Sequence, residues 1–227
     1  DTITPGLSYV NPSPRNTGAI NSTSVTLNVS ITDDFDTYAF FNDSLVGWWR
    51  MDDVNTTGLF ANVTDLSGFG NDGTAIGNAT QTDAGKFGKG FGFDGDEDYI
   101  EIEDADSLGG FTNFSVGFWV YHYDGTYMNL VSKGWDYWFE LGGASEITVK
   151  GLTNSTGGIV CLSKISTQVI GSNAWHYVNY VFNTSTVKYY YDGNYVDEDS
   201  CVYDSIYDST TKLRFGDTVV NQHDLFN

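Results

Sequence analysis

Residues 85–108 constrain this chain more than any other stretch, and they read GKFGKGFGFDGDEDYIEIEDADSL. Gly85, Gly88, Gly90 and Gly92 interleave with Phe87, Phe91 and Phe93, and Asp94-Gly95 then turns into an acidic loop, Asp96-Glu97-Asp98. From Tyr99 a period of two sets in, with Tyr99, Glu101 and Glu103 on one side and Ile100 and Ile102 on the other. That is the pattern of a half-buried strand. A strand, an acidic turn and a second strand predict a hairpin. No long apolar stripe of helical period competes with this reading, and 16% aromatic residues with 26 glycines and three prolines suit an all-β chain. Its 227 residues leave room for one large β domain and a small extra piece.

The flanking segments repeat the signal. Val25, Leu27, Val29 and Ile31 alternate with Ser24, Thr26, Asn28, Ser30 and Thr32, which predicts a strand with one wet face within an N-terminal extension, residues 1–44. Residues 54–73 read as a loop, with Phe69 and Ile76 as anchors. In residues 114–122 Phe114, Val116, Phe118 and Val120 share one face, and Trp119 and Tyr121 the other. Two apolar faces predict a strand sandwiched inside the fold. Residues 158–162 read as a short strand and residues 213–217 as a further one. Residues 175–182 and 187–191 predict a long pair, and Tyr191-Asp192-Gly193-Asn194-Tyr195 a tight hairpin turn. Trp49, Phe93, Phe118 and Trp175 are the expected inward aromatics of a single core.

The stretch at 85–108 resembles the central signature of the laminin-G-like, concanavalin A-like superfamily, in which G-K-F-G leads into F-D-G-x-x-D-Y-[IV]. Leu45-Val46-Gly47-Trp48-Trp49-Arg50-Met51-Asp52 looks like that family's opening strand. Asp65-Leu66-Ser67-Gly68-Phe69-Gly70-Asn71-Asp72-Gly73-Thr74 looks like its D-x-S-G-x-G-N-x-G-T loop. The segment from Phe111 to Val120, then Val131-Ser132-Lys133-Gly134, Trp175-His176-Tyr177-Val178 and Tyr190-Tyr191-Asp192-Gly193, follow in the family's order. The resemblance implies a two-sheet antiparallel jelly-roll sandwich over residues 45–227. Residues 1–44 resemble the first strands of an immunoglobulin-like module of microbial surface proteins, as the cut end of one or as strands that lean on the next domain. Family members close with a segment like F-N-G-x-I-D-E-[VI]-R-I-Y beside the opening strand, and the sequence here ends at Phe226-Asn227. The expectation is a truncated sheet, or an open edge that another subunit completes by strand addition.

Ten Lys plus Arg stand against 30 Asp plus Glu, a formal charge of -20, which argues against nucleic acid and anionic membranes as partners. Solubility in a salty or acidic setting also accounts for such a charge. No apolar run approaches the roughly 20 residues of a membrane span, so direct membrane insertion is not expected. Nine Asn-x-Ser/Thr sequons, at Asn21, Asn28, Asn42, Asn55, Asn62, Asn78, Asn113, Asn154 and Asn183, point to export and glycosylation. Cys161 and Cys201 suggest one disulfide in an extracellular protein, against the alternative of two buried thiols. The sequence thus reads as a mature or excised piece of an exported protein.

Catalytic signals are thin. Glu101 and Glu103, two apart on a strand, sit about 7 Å from each other, between the separations of retaining and inverting glycosidases. Hydrolases of the resembled fold use E-x-D-x-E or E-x-D-x-x-E, and Glu101-Ile102-Glu103-Asp104-Ala105-Asp106 lacks the central Asp and a third Glu. His122, His176 and His223 have no nucleophile motif beside them. Calcium fits better, as a structural ion in two oxygen-rich loops, one with Asp65 and Asn71 and the other with Asp94, Asp96 and Asp98. The same residues also serve as turn caps. For a ligand, Trp135, Tyr137 and Trp138, with Tyr123 and Tyr127 flanking a hairpin tip, offer rings on which sugars stack, although core packing is the commoner role for any one of them. The expectation is a non-catalytic, extracellular adhesion module of a bacterial or archaeal surface protein, binding a glycan or a partner surface protein. A filament or surface-layer subunit and a glycoside hydrolase are its alternatives.

Overall fold

The computed structural model describes residues 6–9, 29–32, 44–55, 61–123, 128–141, 146–161, 164–169 and 171–217. The chain divides into two compact units, Asp1–Ser44 and Leu45–Asn227. In the first, β1 (Gly6–Tyr9) pairs antiparallel with β2 (Val29–Thr32), Leu7 opposite Ile31. Residues 24–28 of the expected strand lie outside the described residues.

The second unit is built of strands β3 (Val54–Asn55), β4 (Asn62–Val63), β5 (Gly73–Ile76), β6 (Thr80–Thr82), β7 (Gly90–Gly92) and β8 (Tyr99–Ile102). There follow β9 (Phe114–Tyr121), β10 (Met128–Ser132), β11 (Tyr137–Leu141), β12 (Glu146–Leu152) and β13 (Lys164–Val169). The last four are β14 (Trp175–Phe182), β15 (Thr186–Tyr191), β16 (Asn194–Ser200) and β17 (Leu213–Phe215). They form a nine-stranded sheet in the order β13-β12-β11-β10-β17-β8-β5-β4-β3, a four-stranded sheet β16-β15-β14-β9, and a small β6-β7 pair. Neighbours within the sheets run antiparallel, and the unit is an all-β jelly-roll sandwich.

The two large sheets meet through aromatic rings. Phe139 of β11 stacks on Tyr180 of β14 at 4.6 Å and lies 5.7 Å from Phe182, which stacks within its own sheet on Phe114 at 4.5 Å. Ile100, Ile102, Phe139, Leu141, Val178, Tyr180 and Val187 are buried in one continuous core. Burial of such side chains contributes roughly 1.5–3 kcal/mol each, which is what drives the two layers together. The Cys161–Cys201 disulfide joins the segment after β12 to the end of β16, so it ties one sheet to the other.

A buried ion-pair cluster fixes the centre of the large sheet. The Lys133 ammonium is wholly buried and lies 2.9 Å from Asp104 and 3.0 Å from Asp136, and donates to the Ser209 carbonyl at 2.6 Å. Asp136 also accepts from the Ser209 hydroxyl and amide. These bonds anchor the segment that leads into β17, which enters the sheet between β10 and β8.

Several expectations are corrected. β7 and β8 do not form a hairpin: β7 pairs with β6, whereas β8 pairs with β5 and β17. The reason lies in the turn, where the Asp98 carboxylate accepts the amides of Asp94 and Gly95 and Asp94 accepts that of Asp96. This closed loop redirects the chain instead of folding it back. Residues 45–50 form no strand; they are held by side chains, Asp65 accepting Trp48 N–H at 2.9 Å and Asn71 donating to the Val46 carbonyl at 2.8 Å. Phe69 is no anchor, since it is 59% exposed, and Val63 and Ala75 fill the core there. Residues 158–161 form only an isolated bridge, Thr153 opposite Ile159. Finally, β9 is the edge of the four-stranded sheet, and only its Phe114, Val116, Phe118 and Val120 face packs on the core.

Candidate functional site

The outward face of the four-stranded sheet is lined with rings. β9 and β14 pair with Trp119 opposite Tyr177 and Tyr121 opposite Trp175, so these four side chains share one face. Centroids are 5.5 Å apart in the first pair and 5.7 Å in the second, and Tyr123 leans edge-on against Tyr121 at 5.4 Å. Trp119 is 38% exposed and Tyr123 66%, far above what a packed ring shows. Trp175, expected inside, belongs to this outer face because its strand alternates with Val178, Tyr180 and Phe182 turned inward. Both halves of β14 are aromatic, and sequence periodicity could not tell which was wet.

The glycine-rich loop before β7 reaches onto the same face. Phe87 meets Trp119 edge-on at 5.5 Å, and the Lys86 ammonium lies 4.7 Å from the Trp119 centroid. Asp52 holds the loop by accepting Lys89 N–H at 2.8 Å. Gly88 has φ +68, and a Cβ there would lie 2.4 Å from the Asp52 carboxylate, so the motif's glycine is required by this contact. At the rim, Asp192 accepts Tyr177 N–H and contacts His176 Nδ1, both at 2.9 Å. Burial raises the Asp192 pKa, but those two bonds outweigh it and hold the carboxyl below its ordinary value.

Of the residues expected to contact ligand, Tyr137 and Trp138 are corrected. Tyr137 is buried, donates to the Leu108 carbonyl and stacks on Phe139, while Trp138 is 2% exposed and donates to Asn129. Trp135 is half-buried and edge-on to Trp138 at 5.4 Å, on the other sheet. Tyr123 joins the aromatic face, and Tyr127 lies outside the described residues.

In the first of the two loops expected to hold calcium, hydrogen bonds already fill the Asp65 carboxylate. Asp65 is buried, and each of its oxygens already takes two donors: Oδ1 accepts from Trp48 N–H and Ser67 N–H, Oδ2 from the Ser67 hydroxyl and Asn71 N–H. Desolvation raises its pKa, and the Ser67, Trp48 and Asn71 bonds overcome this to hold it below the ordinary value. Asn71 is spent on Val46 and Ser107. Asp98 accepts two amides, and Asp94 accepts from Asp96 N–H and Asn78 Nδ2. At Asp65 a cation would have to displace these donors, whereas Asp94 and Asp98 accept one donor per oxygen and keep further acceptor capacity. Among the described residues no group of three or more His, Cys, Asp or Glu gathers in a metal-holding arrangement.

Glu101 and Glu103 share a face and clamp one ammonium, Lys212 Nζ, at 2.8 and 2.7 Å, while Arg214 adds a second cation to Glu101 at 2.8 Å. Desolvation opposes these partners, but they keep Glu101 below its ordinary pKa, the wrong direction for a general acid. Nearby, a polar cleft of about 490 Å³ is lined by Ile76, Asn78, Asp96, Glu97, Arg214 and Asp217. Its guanidinium is committed to Glu101 and stacks on Tyr99. Of the sequon asparagines, Asn55, Asn78, Asn113 and Asn183 are exposed and Asn62 and Asn154 half-buried, while Asn21, Asn28 and Asn42 lie outside the described residues.

Residues 94–227, more than half of the chain, match the laminin G family model of the Concanavalin A-like lectin/glucanases superfamily. No curated protein sequence matches the chain. Among solved structures, it is similar to the binding domain of Paraclostridial Mosquitocidal Protein 1, with TM-score 0.56 and 18% identity over 73% of this chain and 44% of that one. It is also similar to the botulinum neurotoxin serotype D binding domain, with TM-score 0.58 and 15% identity over 77% of this chain and 43% of the other. A third likeness is Domain 4 of AbnA, an extracellular arabinanase of Geobacillus stearothermophilus solved with arabinotriose, with TM-score 0.52 and 18% identity over 70% and 79%. This chain therefore spans less than half the length of the two toxin domains. At these identities the likeness shows the fold alone.

Proposed function

This chain belongs to the Concanavalin A-like lectin/glucanases superfamily, and from that premise we propose that it is a non-catalytic carbohydrate-binding module of an extracellular surface protein. The observation that carries this reading is the outward aromatic ladder of Trp119, Tyr177, Tyr121 and Trp175. Sugars present C–H faces that stack on such rings, and a contiguous exposed aromatic patch marks a recognition surface. Rim groups such as Asp192 supply acceptors for hydroxyls. The solved arabinanase domain with its arabinotriose and the toxin binding domains support, by analogy of fold, recognition as the task. Sequons and the disulfide support export. The charge of -20 favours neutral glycans over polyanionic ones.

Hydrolysis is not part of the proposal, because Glu101 is neutralised by Lys212 and Arg214. The test is calorimetric binding of neutral plant and microbial oligosaccharides by the wild type and by Trp119→Ala and Tyr177→Ala variants. Binding that these substitutions abolish, with no release of reducing ends, is the expected result. Binding that both variants retain in full overturns the assignment of this face.

A further inference from the structure

The aromatic surface does not end at Tyr177. The next residue on that face of β14 is Asn179, which stands opposite Gly117 on β9 and Tyr190 on β15. Tyr190 in turn stands opposite Tyr195 on β16, with ring centroids 5.9 Å apart, and Tyr195 is 53% exposed. Gly117 keeps the path between them low. A Cβ there would lie 2.2 Å from the Tyr177 hydroxyl and 2.8 Å from the Asn179 amide, so both side chains lie down over the glycine. The rings are therefore laid out as a diagonal strip, from Tyr121 and Trp175 through Trp119 and Tyr177 to Tyr190 and Tyr195.

The length of this strip follows from sheet geometry. It crosses three inter-strand steps, about 14 Å, while it moves four residues along the strands, about 13 Å, so it spans roughly 20 Å, the length of about four pyranose rings in a chain. A ligand that offered one terminal sugar would use a single pair of rings. Rings spread over this distance, with the Asn179 amide between them, suit repeated stacking faces at successive sugar units.

Resting on the carbohydrate-binding reading above, we propose that the ligand is a linear, neutral oligosaccharide held along its length on this strip, with Trp119 and Tyr177 at one subsite and Tyr190 and Tyr195 at a distal one.

The experiment is calorimetry on the full chain with linear arabino-, xylo- and gluco-oligosaccharides of two to six units. For the series that binds, affinity is expected to rise at least about tenfold between two units and four and then to level off. Tyr195→Ala, on an exposed ring, should weaken binding of four units and longer by about five- to tenfold and leave two units unchanged. Trp119→Ala should weaken every length. Affinity that is flat from two units to six while still lost in Trp119→Ala, or a Tyr195→Ala effect equal at all lengths, overturns the extended-chain inference and leaves the module reading standing. No binding by any member to the wild type overturns both.

Discussion

Asp65→Ala is the sharpest perturbation of this fold, because the wild-type carboxylate can be either a metal ligand or a knot of hydrogen bonds, and the two differ in measurable ways. In the structure it accepts three backbone amides, from Trp48, Ser67 and Asn71, and one hydroxyl, from Ser67. Alanine leaves the three amides without an acceptor, at about 1–1.5 kcal/mol each where water reaches part of the site, so the loss should be about 3–5 kcal/mol. For a unit of this size, that lowers Tm by about 6–20 °C. The pH dependence has a fixed sign. Asp65 has a folded pKa held below its ordinary value near 3.8, so its contribution is present above that value and is lost as pH falls through the folded pKa. Urea unfolding of wild type and variant at pH 7, and again at decreasing pH below 4, should show the gap between them narrowing. Chelator should leave the wild-type Tm unchanged. If chelator reproduces the Asp65→Ala loss, a bound cation holds this loop, and if the variant costs less than 1 kcal/mol, the hydrogen-bond account is wrong.

The other expectations are more local. Replacing Cys161 and Cys201 together by serine opens a 40-residue loop that ties the two sheets, which should cost about 4 kcal/mol in urea unfolding on the chain-entropy model; a loss under 1 kcal/mol would show that the crosslink is redundant. Lys133→Met should cost about 3–5 kcal/mol, because it strands the buried Asp136 and loosens the Ser209 segment that leads into β17; a neutral or stabilised variant would mean that the cluster does not hold that strand.

Period-two patterning was enough to specify the strands whose two faces differ in polarity. Ile100 and Ile102 are wholly buried while Glu101 meets Lys212 and Arg214, as their alternation requires. The Asp192-Gly193 turn was equally legible, since positive φ at both residues, +47 and +78, is a backbone demand that those residue types meet locally. The pairing of Cys161 with Cys201 followed from there being two cysteines. Strands with rings on both faces were not legible. In β9, β11 and β14 aromatic rings fall on both faces, and the wet side depends on what packs across the sheet. Thus Tyr137 and Trp138 went to the interior and Trp119 and Trp175 to the outer face.

What the sequence by itself determined is the all-β class, the strand periods and the chemistry of the tight turns, because these are settled by neighbours a few residues apart. What only the tertiary structure decided is the order of strands and the use of each carboxylate. β17 reaches the middle of the sheet through a lysine 76 positions away from Ser209. Asp65 is a backbone acceptor because residues 17 positions before it and six after it fold onto its oxygens. A short acidic motif is compatible with a cation or with amide donors, and only the donors that the fold delivers decide between them.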